Sequence, residues 1–340
     1  MSISKEQRER AMTQAQGAVA LEIAFIGIAN GLLSLLDRLG KATADQLSAA
    51  ASVDAGYVTR WCDAAYAFGY LSELEGQFEL TELGHAFRPE VPGTLMPFAV
   101  QSVLSAHMAE RAATYMKTGE RPGEKVLAER ESILPWFGAM LEGNFGPLFE
   151  QQILPQTPAF AEIEARQGVA VDLGCGNGWY LRRLAARYPH IRGIGLDGFD
   201  ENVRQAQERA AAAGFGARLH FQVGDIYNYT VPERVDLISM TRALHHVWDQ
   251  KEKVFGILKD SLRPAGMAVI WEPCWPQQRS DLAQPGRRML AFQNLTEHVQ
   301  GNHFLHPDEI AEAFRQAGMI PSVHLFANGN EAVVVGRNPG

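Results

Sequence analysis

The segment GVAVDLGCGNGWYLRRLA, residues Gly168–Ala185, determines the fold that we predict for this 340-residue chain. Val169–Val171 has the apolar character of a short buried strand, and Asp172 stands at its carboxyl end. The small residues of Gly174–Gly178 predict a tight turn. A helix follows, with apolar residues on one face: Leu181, Leu184, Ala185 and Tyr188. A strand, a glycine turn and a helix in this order predict a doubly wound nucleotide site, because glycines let a ligand approach the backbone and the helix start offers free N–H groups.

The glycine turn does not match the dinucleotide fingerprint G-x-G-x-x-G, which requires glycine where this chain has Trp179. The pattern is D-x-G-x-G-x-G instead, with the carboxylate of Asp172 just before the turn. A carboxylate at this place repels a pyrophosphate but favours a ligand that carries an ammonium and a sulfonium group, as S-adenosylmethionine does. The segment resembles the first motif of the class I S-adenosylmethionine-dependent methyltransferases.

Further landmarks occur in the order and spacing of that family across about 160–340. The predicted strands after the first are Arg192–Asp197, Leu219–Val223, Val235–Met240 and Met267–Trp271, the last followed by Glu272. A final hairpin over 322–327 and 332–336 provides the reversed last strand that the family's sheet has. The predicted fold class is therefore α/β, with a Rossmann-like seven-stranded mixed sheet.

The resemblance also implies which residues hold S-adenosylmethionine. Asp197, about 20 residues after the glycine turn, stands where an acid accepts hydrogen bonds from ribose hydroxyls. In the family an acid at the place of Asp225 contacts the adenine amino group. The full set implied for the cofactor is Asp172, Gly174, Cys175, Gly176, Asn177, Gly178, Asp197, Gly198, Phe199, Asp225, Ile226, Thr241 and Arg242.

The first ninety residues predict a separate α-helical winged-helix domain. Helices begin after Thr43 and Asp54, and Leu71–Leu80 reads as a strand pair bent at Glu75 and Gly76. Residues 41–83 carry two basic and seven acidic side chains, which opposes the phosphate neutralisation that DNA binding needs. A DNA-binding regulator with a vestigial catalytic domain is therefore the distant alternative.

The arrangement resembles the dimerisation domain of small-molecule O-methyltransferases of the caffeate and hydroxyindole type. The apolar run Val19–Leu36 is interrupted by polar residues and glycines, so we predict two buried helices at a subunit interface rather than a membrane span. The predicted domains are 1–90 for dimerisation, 91–160 as a helical connector and 161–340 for methyl transfer. The expected partners are a second copy of the chain and a small-molecule acceptor, with no nucleic acid and no membrane.

The connector is rich in proline and in aromatic and methionine side chains, and in the resembled enzymes it covers the substrate pocket. After the fifth strand, an insertion carries tryptophans and arginines, and an arginine at a pocket mouth can clamp a carboxylate. The predicted pocket residues are Trp136, Met140, Asn144, Phe145, Trp271 and Arg287.

Two adjacent histidines follow the fourth predicted strand, where plant-type O-methyltransferases carry their catalytic base. The family pattern is H-D-W-x-D and this chain has H-H-V-W-D, so His245 is the equivalent by direct register, while the displaced Trp248 leaves His246 in contention. Imidazole suits general-base chemistry near neutral pH. We expect no metal, because no acid cluster completes a magnesium site with the two histidines and Asp249.

The sequence leaves the methyl acceptor open. The leading hypothesis is a hydroxyl group of a small molecule, whose proton a histidine removes. The alternative is S-methylation of a thioether acid such as 4-methylthio-2-hydroxybutyrate, a reaction of some two-domain relatives in dimethylsulfoniopropionate biosynthesis. A thioether carries no proton, so this reaction needs no base. The net charge of −8, the polar N-terminus and three cysteines without a C-x-x-C pair predict a cytoplasmic enzyme with reduced thiols.

Overall fold

The computed structural model describes residues 3–129, 133–231 and 233–339. The chain forms two compact units, one made of Met1–Glu110 and Ala128–Asn144 and the other of Arg111–Leu127 and Phe145–Gly340. The predicted connector over 91–160 is thus divided between the two units, and the three-part division of the sequence stays a prediction.

The first half of the chain is mainly helical. Its helices are α1 (Lys5–Ala29), α2 (Leu32–Leu39), α3 (Ala44–Ala51), α4 (Ala55–Ala67), α5 (Glu82–Ala86), α6 (Met96–Tyr115), α7 (Lys125–Ala128), α8 (Leu134–Leu148), α9 (Leu154–Gln156) and α10 (Pro158–Ala165), with a π-helical turn at Phe149–Ile153. Its two strands, β1 (Leu71–Leu74) and β2 (Gln77–Leu80), pair antiparallel. This order contains the predicted helix, helix and hairpin of a winged helix.

Side-chain caps explain where the helices of the predicted winged helix begin. Thr43 and Gln46 form a reciprocal capping box at the start of α3, and Asp54 accepts a hydrogen bond from the Tyr57 N–H at the start of α4. The hairpin turns at Glu75 and Gly76, both of which have positive φ, as a two-residue turn requires. The sequence prediction for 43–80 is confirmed.

The N-terminal apolar run Val19–Leu36 lies in two helices, as predicted. It forms one long helix, α1, and the short α2, separated where Gly31 adopts a φ of +66°. The described residues of α1 up to Val19 are exposed, and only four further along are buried: Ile23, Ala24, Gly27 and Ile28. By length and composition α1 could also cross a membrane, with a mean hydropathy of 1.3 over its most apolar window. Within Val19–Leu36 both helices bury apolar residues, and the subunit interface stays a prediction.

The second unit contains the predicted seven-stranded sheet. Its strands are β3 (Val169–Leu173), β4 (Arg192–Asp197), β5 (Leu219–Val223), β6 (Val235–Thr241), β7 (Leu262–Pro273), β8 (Ile320–Phe326) and β9 (Glu331–Arg337). The spatial order is β5-β4-β3-β6-β7-β9-β8, and only β9 runs antiparallel to its neighbours. The reversed strand and the sheet are as predicted.

Helices cover both faces of this sheet. They are α11 (Trp179–Arg187), α12 (Asp200–Ala212), α13 (Lys251–Ser261), α14 (Arg288–Val299) and α15 (Pro307–Gln316), with 3₁₀ turns at Ile226–Asn228, Leu244–Gln250, Arg279–Ala283, Pro285–Arg287 and Ala327–Gly329. One core cluster contains Leu181 and Leu184 of α11, and a second contains Leu258 of α13 and Phe314 of α15. The two clusters bury the sheet on both sides, as in parallel α/β sheets generally.

The sheet order places a crevice at the end of β3. This strand pairs with β4 on one side and β6 on the other, so the connections leave it in opposite directions. Asp172, near its carboxyl end, lies opposite Gly195 of β4 and Ser239 of β6. Ligands of open α/β sheets bind at such a switch point, which makes the loops after β3, β4 and β6 the candidate site.

Candidate functional site

The glycine turn after β3 adopts a conformation that requires glycine. Gly174, Gly176 and Gly178 have φ values of +78°, +52° and +73°. The N–H groups of Gly174 and Cys175 donate to the carbonyl of Leu196, which fixes the turn against the end of β4. A Cβ at Gly178 would lie 2.7 Å from the Phe221 ring, whereas a Cβ at Gly176 would meet no heavy atom within 4 Å. The turn is therefore packed below Gly178 and open beside Gly176.

Asp172 lies beneath this turn rather than at its surface. Its side chain is 1% exposed, and one oxygen accepts a hydrogen bond from the Ser239 hydroxyl at 2.9 Å. Burial raises the pKa of Asp172 to about 8, against the Ser239 hydrogen bond and with a further contribution from the charge of Asp197. A cation bound nearby favours the ionised form. Asp172 is buried, so its predicted effect on a cationic ligand would come from its charge rather than from a contact at the surface.

Asp197 ends β4 and holds the turn from the other side. Its Oδ2 accepts from the Gly176 N–H at 2.8 Å, and its Oδ1 accepts from the Phe199 N–H and the Asn202 amide, both at 3.0 Å. A carboxylate oxygen can accept a further bond, so Oδ2 keeps capacity for a ligand hydroxyl. A Cβ at Gly198 would meet no heavy atom within 4 Å, and Phe199 is 55% exposed. The end of β4 is thus open, as a ribose site requires.

Asp225 follows β5 and is oriented by its own turn. Its two oxygens accept from the Tyr227 N–H at 2.9 Å and the Asn228 amide at 2.8 Å, and it caps the 3₁₀ turn that begins at Ile226. The carboxylate is exposed. An exposed acceptor held in one orientation suits the predicted contact with an adenine amino group.

The remaining residues of the turn have different environments. The buried Asn177 accepts from the Trp179 N–H, but its amide nitrogen has no partner in the described structure. An unpaired buried donor is costly and indicates a missing acceptor. Cys175 is buried, which raises the pKa of its thiol well above the usual value, so it stays protonated and serves as a small packing residue.

Arg242 follows Thr241, the half-buried last residue of β6, and is fully engaged by the protein. Its guanidinium donates to Glu331 on β9 at 2.8 Å and lies 4.0 Å from the centre of the Phe145 ring. The indole N–H of Trp271 donates to the same carboxylate at 2.8 Å. These contacts join β7, β9 and the residue after β6 to α8, and they leave the arginine charge neutralised. We therefore expect Arg242 to support the site rather than to bind an anion.

His245 lies in the 3₁₀ turn after β6 and contacts a buried carboxylate. Its Nδ1 is 2.7 Å from Oε2 of Glu272, and the other Glu272 oxygen accepts from the Leu244 N–H at 2.8 Å. The side chains of His245 and Glu272 are 4% and 1% exposed. Burial opposes ionisation of Glu272, but the charge and hydrogen bond of His245 outweigh it and lower the pKa of Glu272. Nδ1 is therefore the nitrogen that donates to Glu272, so in the neutral form of the ring Nε2 is the nitrogen with a lone pair.

Two further carboxylates border the histidines. Oε2 of Glu297 on α14 lies 3.7 Å from Nε2 of His245. Oε1 of Glu124 lies 3.0 Å from Nδ1 of His246, and the Asn302 amide lies 2.8 Å from the same nitrogen. Burial works against protonation of His246, but the hydrogen bond to Glu124 and the charges of Glu297, Glu124 and Glu272 raise its pKa. Glutamates from distant parts of the chain therefore border the histidines, and the expected absence of a magnesium ion stays a prediction.

The acids were missed because of where they lie in the chain. Glu272 is the next-to-last residue of β7, and an acid at a strand end is the same signal that identified Asp197, so its role could have been predicted. Glu124 and Glu297 lie more than 50 residues before and after the pair, and nothing in their local sequence marks them. Asp249 instead accepts from the Tyr227 hydroxyl at 3.1 Å.

The predicted pocket residues are divided between the two units. Phe145 and Trp271 meet edge to face with ring centres 5.8 Å apart. Arg287 donates to Asn330 and to the carbonyl of Gly329, so it links two loops and does not present a free clamp. In the first unit, Met140 is buried in the core, Trp136 packs against that core, and Asn144 is exposed. Their pocket roles stay predictions.

Known proteins resemble the chain in both sequence and fold. Residues 170–266 match the family model described as a methyltransferase domain. O-demethylpuromycin-O-methyltransferase of Streptomyces alboniger is 27% identical over 252 residues, which are 70% of this chain and 64% of that enzyme. O-methyltransferase SfmM3 of Streptomyces lavendulae is 28% identical over 243 residues, 68% of each chain.

A solved structure extends the likeness to the whole fold. Human N-acetylserotonin methyltransferase, solved with SAM (S-adenosylmethionine), superposes over 100% of both chains with a TM-score of 0.75 at 18% identity. The open glycine turn, the strand-end acids and the unpaired Asn177 amide fit that cofactor. Residues 170–266 thus form a methyltransferase domain, the chain spans about two thirds of the length of the O-methyltransferases it matches, and it has the fold of the solved two-domain methyltransferase.

Proposed function

We propose that the protein transfers a methyl group to a hydroxyl group of a small molecule, and that His245 is the general base. One observation carries the proposal: a buried glutamate holds Nδ1 of His245 at 2.7 Å and so leaves the lone pair on Nε2. Names of relatives supply the substrate class, since two of them are O-methyltransferases. The acceptor itself stays unnamed.

The residues around the switch point fit the cofactor. Gly174 and Gly176 would admit it to the backbone, Asp197 would accept from its ribose hydroxyls, and Asp225 would accept from its adenine amino group. When bound, S-adenosylmethionine supplies an electrophilic methyl group. The chain's own contribution is alignment, for which about 7–11 kcal/mol of barrier lowering is available to well-positioned reactants.

Glu272 determines what His245 can do. The Nδ1–H donates to the carboxylate, which fixes the ring orientation and the tautomer. When Nε2 accepts the hydroxyl proton of the acceptor, the imidazolium that forms lies against an ionised, buried glutamate. Glu272 itself is held by the Leu244 N–H, so the pair needs no rearrangement during the reaction. A base in this position contributes about 10²–10⁴-fold.

His245 is a better candidate than its neighbour. Its side chain is 4% exposed, against 27% for His246, and its partner is fully buried. His246 is paired with a half-exposed glutamate of the 111–127 segment instead. A protonated His246 would hold no lone pair for the acceptor, and the neighbouring carboxylates favour that protonated form.

We expect His245→Gln to lower kcat by about 10²–10⁴-fold, because the acceptor proton then has no acceptor. Glu272→Gln should lower kcat as well, because the ring loses its orienting charge. The acceptor for the assay comes from a screen of hydroxylated aromatics, thiols and thioether acids with radiolabelled cofactor. Calorimetry should show nearly unchanged cofactor affinity in both variants.

His190→Gln is the matched control, because His190 also contacts a glutamate through Nδ1, at 2.6 Å, but is 59% exposed. It should keep wild-type kcat. If His245→Gln and His246→Gln each keep near-normal kcat at every pH between 6 and 9, the base is excluded. A preference for thioether acids in the same screen would then make S-methylation the better description.

We further propose that the enzyme is a cytoplasmic homodimer that assembles through its first domain. Exposed apolar side chains on α1 support this, among them Met12 at 61%, Val19 at 43% and Ile26 at 46%. Contiguous apolar surface of this kind is typical of association sites. The fold and the relatives' names agree with a biosynthetic enzyme of this type.

A further inference from the structure

The two histidines and Glu297 form a cluster that general-base chemistry alone does not require. One nitrogen of His245, one nitrogen of His246 and one oxygen of Glu297 all lie within 4.8 Å of one another. The imidazole rings are 4.1 Å apart between centres and tilted by 36°. Two imidazoles and one carboxylate, converging within a few ångströms, form a donor set that metal sites use.

The surroundings of the cluster also have the form of a metal site. A histidine ligand almost always donates its other ring N–H to a carboxylate or carbonyl. His245 does so, with Nδ1 at 2.7 Å from Glu272, and Nδ1 of His246 contacts Glu124 at 3.0 Å. At His245 the contact with Glu272 leaves Nε2 as the nitrogen that can give a lone pair, and at His246 both Glu124 and the Asn302 amide lie at Nδ1. The outer groups are in place without an ion.

From this geometry we infer that His245, His246 and Glu297 bind a divalent transition-metal ion, with Zn²⁺ as the expected occupant. Imidazole ligands select zinc, nickel, cobalt and copper over magnesium and calcium, which require oxygen. Bonds of about 2.0–2.1 Å place tetrahedral ligands roughly 3.3 Å apart, so side-chain rotation closes the remaining distance. Water completes the coordination, and any proton held by the ligating nitrogens is released.

The consequence for activity rests on the proposed function. The zinc ion takes the lone pair of His245 Nε2, which is the pair that would accept the proton of the acceptor. A single nitrogen cannot bind zinc and accept a proton at the same time. Zinc is therefore an inhibitor that competes with the acceptor, and the site couples methyl transfer to the availability of free transition metal.

The test is a zinc titration of the chelator-treated full-length protein, followed by equilibrium dialysis with metal analysis. Wild type should bind one Zn²⁺ per chain, and Mg²⁺ should not compete. Glu297→Gln and His246→Gln should each weaken zinc binding about tenfold or more, since loss of an outer-shell partner alone commonly costs 10–100-fold. His190→Gln, which changes a histidine–glutamate contact on the surface, should bind as wild type.

Cobalt gives a second readout, because Co²⁺ in a nitrogen and oxygen site absorbs visible light. The Co²⁺ spectrum should be present in wild type and His190→Gln and should need a higher Co²⁺ concentration in the two ligand variants, with circular dichroism confirming that each variant is folded. No saturable zinc binding, or equal binding in both ligand variants and wild type, overturns the inference. Zinc binding with a fully active His245→Gln would instead overturn the base, so the two proposals fail separately.

Discussion

At the scale of single residues, the site is built from carboxylates that the fold removes from water. Asp172, Glu272 and Glu331 are all within 9% exposure, yet their environments differ. A histidine outweighs burial at Glu272 and lowers its pKa, whereas burial raises the pKa of Asp172 and of Glu331. Buried carboxyl groups thus supply both an ionised partner for a base and acids that hold their protons more tightly.

Asp172 gives a pH-dependent prediction. Its pKa is raised from 3.8 to about 8 in the folded chain. The folded state therefore binds this proton more tightly than the unfolded state, and the stability it contributes is lost as pH rises from about 4 to about 8. Asp172→Asn cannot ionise, so its melting temperature should gain on that of wild type across this window. Thermal unfolding at a series of pH values measures the difference.

Two outcomes of that experiment contradict the pKa assignment. The first is a constant difference in melting temperature between Asp172→Asn and wild type at all pH values. The second is a difference that moves in favour of wild type as pH rises. Asp200→Asn serves as the control, because Asp200 is an exposed acid at the start of α12 and should show no such trend.

At the scale of elements, the sequence predicts the bounds of strands better than it predicts which residues from distant parts of the chain come into contact. Arg192–Asp197 and Leu219–Val223 have the same bounds in the structure as in the prediction, since turn residues delimit both apolar runs. The apolar run Val19–Leu36 predicts its two helices but not what covers their exposed side chains, because such a run shows no partner by itself. The histidine pair was found from its place after β6. Glu124 and Glu297 reach it only through tertiary folding, which no local pattern encodes.

We expect the open space beside the glycine turn to determine the affinity for the cofactor. Gly176→Val places a side chain where a Cβ meets no protein atom, so the side chain occupies the space that the ligand needs. The positive φ adds local strain. We expect cofactor binding to fall by at least about tenfold, which is about 1.4 kcal/mol, while the fold is retained. Calorimetry measures the affinity for the cofactor, and circular dichroism shows whether the variant is folded.

Gly216→Ala is the matched control, because a Cβ there makes only an ordinary contact at 3.8 Å and lies away from the turn. It should bind the cofactor as wild type does. Wild-type affinity in a folded Gly176→Val protein would show that the ligand does not approach this part of the backbone.

At the scale of the whole molecule, the exposed apolar side chains of the first unit lead to a prediction about the oligomeric state. We expect sedimentation to give a mass near twice 37.5 kDa, and Ile26→Asp to reduce it, because a carboxylate would be buried without a partner in the interface. Leu74→Asp, at a residue 64% exposed in the hairpin, is the control and should leave the mass unchanged. A wild-type monomer at micromolar concentration would refute the dimer.

The contact between Arg242 and Glu331 has a consequence for the order of events during synthesis. The two residues are 89 positions apart, and β9 inserts between β7 and β8. On a ribosome, Arg242 emerges long before its counter-charge, and until then the loop after β6 is held by β7 alone, through the Trp271 carbonyl and Glu272. A nascent chain halted before residue 331 therefore lacks the carboxylate that neutralises Arg242 and accepts from the Trp271 indole N–H.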